Sequence, residues 1–341
     1  MAYTVINDPE GQGFQAKAYT GNGSADHAIT LDGTTDMQPD WVWIKNRENE
    51  TSDDPHIWFD VIRGVTKYIA TTSSAAEATD ADTLDAFQSD GFKVDADTKV
   101  NTNAETYVAW CWKAGGSGSS NADGAISTTR SLNADAGISI MKYTGSGSGS
   151  NIAHGLGATP ELTIRKNITG TEDWYVHTTI IDGSHDYMKL NTTAAKADSG
   201  LTAASSTLVY TAADSATHIV YALKSVQGFS KFISYVGNSS ADGKFLYCGF
   251  KPAFVMTKRT DTTSAWYIWD NKRNGYNGSN NALFAYHPSV ENTTQRIDLL
   301  SNGFKFRHAD SDHNGSSGTY IFMAFAEAPF VNSKGVPCNA R

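Results

Sequence analysis

One phrase, written three times, constrains this chain more than any other feature: a Tyr followed by a turn rich in Gly, Asn and Ser. It stands as Tyr19-Thr20-Gly21-Asn22-Gly23-Ser24-Ala25-Asp26, as Tyr143-Thr144-Gly145-Ser146-Gly147 and as Tyr235-Val236-Gly237-Asn238-Ser239-Ser240-Ala241-Asp242. A proline follows each Tyr after 20, 17 and 17 residues (Pro39, Pro160, Pro252) and opens an apolar segment ending in basic or amide residues. These segments are Trp41-Val42-Trp43-Ile44-Lys45-Asn46-Arg47, Leu162-Thr163-Ile164-Arg165-Lys166-Asn167 and Phe254-Val255-Met256-Thr257-Lys258-Arg259. An aromatic strand comes next (Ile57–Asp60, Trp174–His177, Trp266–Asp270). Each unit closes on a strongly apolar one (Tyr107–Trp112, His218–Leu223, Tyr320–Phe325). Self-similarity at this period means tandem domain-sized units rather than a solenoid.

The outer two copies also share Asp90-Gly91-Phe92-Lys93 and Asn302-Gly303-Phe304-Lys305, which the middle copy lacks. Short strands of β-branched and aromatic residues between Gly/Asn/Asp/Ser turns predict an all-β chain of three tandem antiparallel β-sandwich domains, of jelly-roll or lectin-like type. The expected boundaries are 1–115 for the first repeat, 116–135 for a Gly/Ser-rich flexible linker, 136–226 for the trimmed second repeat and 227–341 for the third. The closing strands, apolar on both faces, are expected mid-sheet, and the post-proline strands are expected to keep one wet side. Helix is expected only as short turns within 73–87.

Charged residues are 18% of the 341 and the net charge is −9. No Lys/Arg run suits a row of phosphates, so nucleic acid is not an expected partner. No apolar stretch nears the roughly 18 residues that cross a bilayer, and the first residues lack a signal peptide's cationic and apolar regions. Membrane insertion is therefore not expected, and synthesis in a cytoplasm is. Cys111, Cys248 and Cys338 share no metal or disulfide spacing, and Cys111 and Cys248 read as small core residues.

The strings Pro39–Arg47, Tyr107–Lys113, Trp266–Arg273 and Ala324–Phe330 resemble an uncharacterised family of virion proteins of marine bacteriophages. The resemblance runs from Tyr19 to Arg341. It implies a late structural protein placed near the tail or fibre, with concanavalin-type sandwiches, and no established catalytic residues. The expected function is thus a non-enzymatic virion protein, a tail-attached adhesin or fibre component that contacts host-surface glycans. Its expected partners are other virion proteins and further copies of itself. The alternative is a capsid decoration or tail adaptor with purely structural contacts; a surface polysaccharide hydrolase ranks third.

Three sets of residues stand out as candidate sites. A glycan platform needs exposed aromatic faces beside amide and carboxylate groups, which selects Tyr276, Asn277 and Asn280 in a turn-rich loop together with Trp269 and Asp270. Strand tryptophans, however, read first as core. Asp310-Ser311-Asp312-His313-Asn314-Gly315 matches the first half of a calcium loop, with Asp310, Asp312 and Asn314 as ligands. The Glu expected six residues after the Gly is replaced by Ile321, so a solvated hairpin loop is the first reading and Ca2+ the second. No other cofactor is expected. Asp60/Arg63 and Asp270/Arg273 recur at one interval and read as buried ion pairs pinning turns.

Overall fold

The computed structural model describes residues 11, 13–48, 54–273, 277, 280–294 and 297–327. The chain is all-β, with several antiparallel sheets, and the three copies of the phrase open three units of like topology. In each, the first long strand pairs with the last, the last with the post-proline strand and that with the aromatic strand. The orders are Phe14–Thr20, Thr106–Trp112, Trp41–Asn46, Ile57–Asp60; then Ile138–Thr144, Thr217–Leu223, Leu162–Asn167, Tyr175–Thr178; then Ser230–Val236, Thr319–Phe325, Phe254–Arg259, Trp266–Asp270. Register agrees residue for residue: Trp112 lies between Phe14 and Trp41, Leu223 between Ile138 and Leu162, and Phe325 between Ser230 and Phe254. The closing strands therefore do run mid-sheet.

The repeated glycine has a steric cause. A Cβ on Gly21, Gly145 or Gly237 would sit 2.2, 2.1 and 2.3 Å from the carbonyl oxygens of Thr102, Asp214 and Gly315, so the turn closes only without a side chain. In the outer units a one-turn helix, Thr98–Asn101 or Ser311–Asn314, seats that turn. Tyr19 Oη donates to Val100 O at 2.8 Å, and Tyr235 Oη to His313 O at the same distance. Asn101 and Asn314 accept from the backbone N–H of Asn22 and Asn238. These helices lie outside 73–87, where the chain instead forms the strands Ala78–Thr79 and Leu84–Gln88.

Side chains alternate across each large sheet, and the two faces meet different surroundings. One face in each unit packs beneath a small sheet. In the first unit that sheet is His27–Ile29, Gly91–Val94 and Leu84–Gln88, and in the third Phe245–Tyr247, Gly303–Phe306 and Ile297–Leu300. The other face turns inward, and the three inward faces form one continuous apolar cluster. Seven of the eight tryptophans lie in it, all but Trp269. Phe14 lies 5.7 Å from the Phe325 ring and 5.9 Å from Phe254, and Trp58 lies 4.9 Å from Trp174 and 5.0 Å from Tyr221, so the units interlock through aromatic pairs. This corrects the expectation that the post-proline strands keep a wet side. Trp41–Asn46 is buried throughout, because one face meets the small sheet and the other the shared core.

Polar contacts close the ring of units. Lys166 donates to Ser74 O at 2.9 Å and Trp174 Nε1 to Ala70 O at 3.0 Å, joining the second unit to the first. Lys258 donates to Thr193 O at 3.3 Å and Trp266 Nε1 to Lys189 O at 2.9 Å, joining the third to the second. Thr71 Oγ1 donates to Ala285 O at 2.5 Å and Arg47 pairs with Glu291 at 2.6 Å, joining the first to the third. The two repeated ion pairs belong to the same system. Asp60 and Arg63 are fully buried, and Asp60 also accepts from Tyr221 Oη at 2.7 Å across the unit boundary. Asp270, paired with Arg273, accepts from Trp110 Nε1 at 3.1 Å. In the middle unit the position is Thr178, and Met323 stands where its cross-boundary partner would be. Donor and acceptor are thus lost together.

The Gly/Ser-rich stretch expected as a flexible linker is built into the fold. Ser119–Asn121 and Thr128–Asn133 are the two outermost strands on one side of the middle unit's eight-stranded sheet. Gly118 serves close packing, since a Cβ there would lie 2.3 Å from Ile62 Cδ1, and so does the preceding Gly115, where a Cβ would lie 2.5 Å from Leu132 O.

Candidate binding cleft

Of the residues expected to form a glycan platform, the four that the structure describes are engaged within the fold. Trp269 is fully buried and Asp270 is held in the ion pair, so neither presents a surface to a sugar. Asn277 holds the Leu299 backbone from both sides, accepting from its N–H at 2.9 Å and donating to its carbonyl at 3.1 Å. Asn280 is buried and donates to Ile297 O at 3.0 Å. Both amides pin a loop to the small sheet. Tyr276 lies outside the described residues.

The calcium-like motif has another use as well. Asp310 caps the one-turn helix, accepting from Asp312 N–H at 2.7 Å. Asp312 accepts from Tyr267 Oη at 2.6 Å, and Asn314 donates to Ser240 O and His308 O. Asp97-Thr98-Lys99-Val100-Asn101 does the same in the first unit without the acidic pattern, so the motif is a helix cap that seats the Tyr-Gly turn. Among the described residues, no group of three or more His, Cys, Asp or Glu side chains is arranged to hold a metal ion.

The structure instead brings together a cluster in the middle unit. Between the sheets the outer units bury fifteen and seventeen apolar residues, the middle unit seven. Its small sheet has only two strands, Asn151–Ala153 and Leu208–Tyr210, because the Gly-Phe hairpin is missing. The register identifies what stands on the less covered face. Arg165 takes the place of Ile44 and Thr257, His177 that of Phe59 and Trp269, Thr163 that of Val42 and Val255, and His218 that of Tyr107 and Tyr320. A polar group on each strand thus faces a space that the sister units fill with hydrocarbon.

That space is a narrow crevice with a cavity volume of about 10 Å³, room for one hydroxyl or water-sized group. Its lining includes Thr163, Arg165, His177, His185 and Tyr143, with the loop around Leu201–Ala204 as its cover. It shares Leu201, Thr202, Tyr210 and Thr211 with a wider surface groove of about 340 Å³, whose other wall is Gly149–Asn151. Arg165 is 7% exposed. It pairs with Glu172 at 3.1 Å, approaches Asp214 at 4.0 Å and lies over the Tyr175 ring at 4.8 Å. Its Nε has no partner, nor has Nε2 of His177, which is 7% exposed. His177 is flanked by the Tyr175 and His185 rings at 5.9 and 5.3 Å, and His185 Nδ1 meets Leu201 O at 2.9 Å, tying the cover to the sheet.

Burial, with Arg165 and His185 adding to it, pulls the His177 pKa down to about 3, so the ring is neutral and can both donate and accept. Burial also lowers His218, although Asp214 Oδ1 meets its Nε2 at 2.9 Å and opposes the shift. Burial would raise Asp214, but His218, the Ala216 N–H and Arg165 hold it below the usual carboxylate range. Chemically the pocket offers neutral hydrogen-bonding groups and one compensated cation, and its lining contains no carboxylate. Unpartnered buried polar atoms occur elsewhere in the molecule too, but Arg165 Nε and His177 Nε2 belong to residues that line a crevice opening to the surface, where an outside group can supply the missing bond.

No search motif describes this cluster. Its signal is a mismatch between copies, Arg165 where the sister segments carry Ile44 and Thr257, and it becomes legible once the three segments are aligned. Among curated proteins and among solved structures, nothing matches this chain. Over residues 10–329 the sequence matches a family described as a domain of unknown function, DUF7483, and the chain belongs to that family.

Proposed function

We propose that this chain is a non-enzymatic virion protein of a bacteriophage, three tandem β-sandwich units fused into one body, and that it works as a tail-attached adhesin or fibre component contacting host-surface glycans. The observation that carries the reading is the polar cleft of the middle unit, which replaces apolar packing with unpartnered hydrogen-bonding groups. The shared core supports it: a load at the cleft is borne by the whole chain rather than by one loosely tethered domain. Weak contacts of single copies multiply when many are held on one particle.

Purely structural attachment, as a capsid decoration or tail adaptor, is the second reading, and one feature favours it. In the third unit Ile233 and Val236 on one edge strand, and Phe245 and Tyr247 on the edge of the small sheet, are 39, 47, 41 and 62% exposed. The corresponding edge of the middle unit is covered by the hairpin of residues 119–133. An apolar edge that no strand among the described residues pairs with suits pairing with another virion subunit. A cryo-EM map of the intact particle tests both readings. Copies at a tail or fibre tip with the cleft outward support the adhesin; a lattice of copies with the cleft covered by neighbours supports the decoration protein and removes the adhesin.

A further inference from the structure

The glycan-contact reading leaves open what kind of sugar the cleft accepts, and the geometry narrows it. We infer that the cleft takes one uncharged sugar ring of a glycan, laid in the groove beside Tyr210, with a hydroxyl reaching the free Nε2 of His177 and the free Nε of Arg165. This rests on the adhesin reading and names its ligand class.

Three observations select that class. Arg165 is the permanent cation of the lining, and Glu172 at 3.1 Å with Asp214 at 4.0 Å already compensates it, so a ligand carboxylate would meet carboxylates behind the guanidinium. A cationic ligand would face Arg165 directly. The remaining polar groups are the neutral His177 ring, His185, and the hydroxyls of Thr163, Thr202, Thr211, Tyr143 and Tyr210, and every one of these hydroxyls can donate and accept, as sugar hydroxyls do. The shape agrees. The groove, about 340 Å³, lies at the lower end of the range of about 300–1,000 Å³ typical of small-ligand sites, the size of one ring, and the crevice behind it has room for one hydroxyl. Half-buried Tyr210 lines the groove and the narrow pocket alike, so a ring there lies at the pocket's mouth.

The test uses the intact chain and four probes: the methyl glycosides of glucose, galactose and mannose, and glucuronate. Binding is read by calorimetry and by slowed amide exchange in residues 199–211. At least one neutral glycoside is expected to bind and to protect that loop, with glucuronate weaker. His177→Phe, which installs the first unit's residue, is expected to weaken binding about tenfold, the equivalent of one lost hydrogen bond to a well-placed group. Thr163→Val, the residue of both sister units, is a second variant should His177→Phe not fold; near-ultraviolet circular dichroism of the buried tryptophans checks folding. Glucuronate binding more tightly than all three neutral probes overturns the class, and so does the absence of binding by every probe. Adsorption of the same proteins to host cells separates the two readings. Wild type and both variants adsorbing equally overturns the cleft while sparing the adhesin, whereas wild type failing to adsorb overturns the adhesin itself.

Discussion

The outer units and the middle unit share a sheet register but use their outward faces differently. In the outer units that face is sealed by a three-stranded sheet carrying Phe92 or Phe304, with Val42, Ile44 and Phe59 or Val255 and Trp269 beneath. In the middle unit the hairpin is gone and Thr163, Arg165 and His177 stand in the same places. The inward faces of all three remain apolar and joined. A repeat can therefore give up the core of one copy when the other face of that copy is secured by its sisters. Burying a side chain of the Val-to-Phe size contributes about 1.5–3 kcal/mol, and the shared core supplies many such burials to the middle unit.

The firmest way to break this comparison is Trp112→Ala. It removes an indole packed between Trp41 at 4.1 Å and Phe14 at 5.1 Å, and it should cost about 4 kcal/mol. Calorimetry should show one transition moving as a whole; two transitions with only one displaced would mean that the units fold separately. Next in size is Asp60→Ala, which leaves buried Arg63 with only the more distant Glu77 carboxylate at 3.5 Å and should cost about 3 kcal/mol. Its middle-unit counterpart Thr178→Ala, which removes one hydroxyl bonded to Glu161 O, should cost about 1 kcal/mol in the same denaturation series. Equal losses at the two positions would contradict the division of roles.

Acid should reach the middle unit through His177. Its folded pKa, about 3, lies below the unfolded 6.5, so the unfolded state binds the extra proton between those values. The stability contributed by the neutral ring is present above pH 6.5 and falls as the pH drops towards 3. At pH 5 the loss from this residue approaches about 2 kcal/mol. Arg165 and His185, which face the ring, deepen it. His177→Phe should flatten that part of the stability-versus-pH curve, and an unchanged slope would refute the assignment. The smallest expected effect is Asp310→Ala, about 1 kcal/mol for a lost helix cap. Thermal melts should show the same loss with calcium and with a chelator, and a loss confined to calcium-loaded protein would restore the cation reading.

Much of the fold was legible because repetition marks constraint. The Tyr-Gly phrase, the post-proline segment and the closing strand are the parts that pair in register, and the Asp-Arg interval is the buried pair it reads as. What composition misled on was context. Gly115–Asn121 has the make-up of a flexible linker, yet Gly115 admits the Leu132 backbone and Gly118 packs against Ile62 and Arg130 O. Asp310-Ser311-Asp312-His313-Asn314-Gly315 has the spacing of a cation loop, yet its oxygens bond the chain itself. Trp41–Asn46 could not reveal that both its faces are dry, since the second cover comes from other units. The cleft was hidden for the opposite reason, being a departure from the repeat where every recognisable signal was an agreement with it.

The closed ring of units also bears on how the chain is made. Phe14 and Trp112 pack on Phe254 and Phe325, and Thr71 bonds Ala285, so the first unit is completed by residues synthesised much later than its own. While the third unit is still being translated, the tryptophan-rich inner faces of the first two have only each other for cover. Chains interrupted before Thr319–Phe325 carry an open aromatic surface, which invites aggregation or chaperone capture. Full-length product and soluble product should therefore rise together, and stable fragments ending near residue 226 should be scarce.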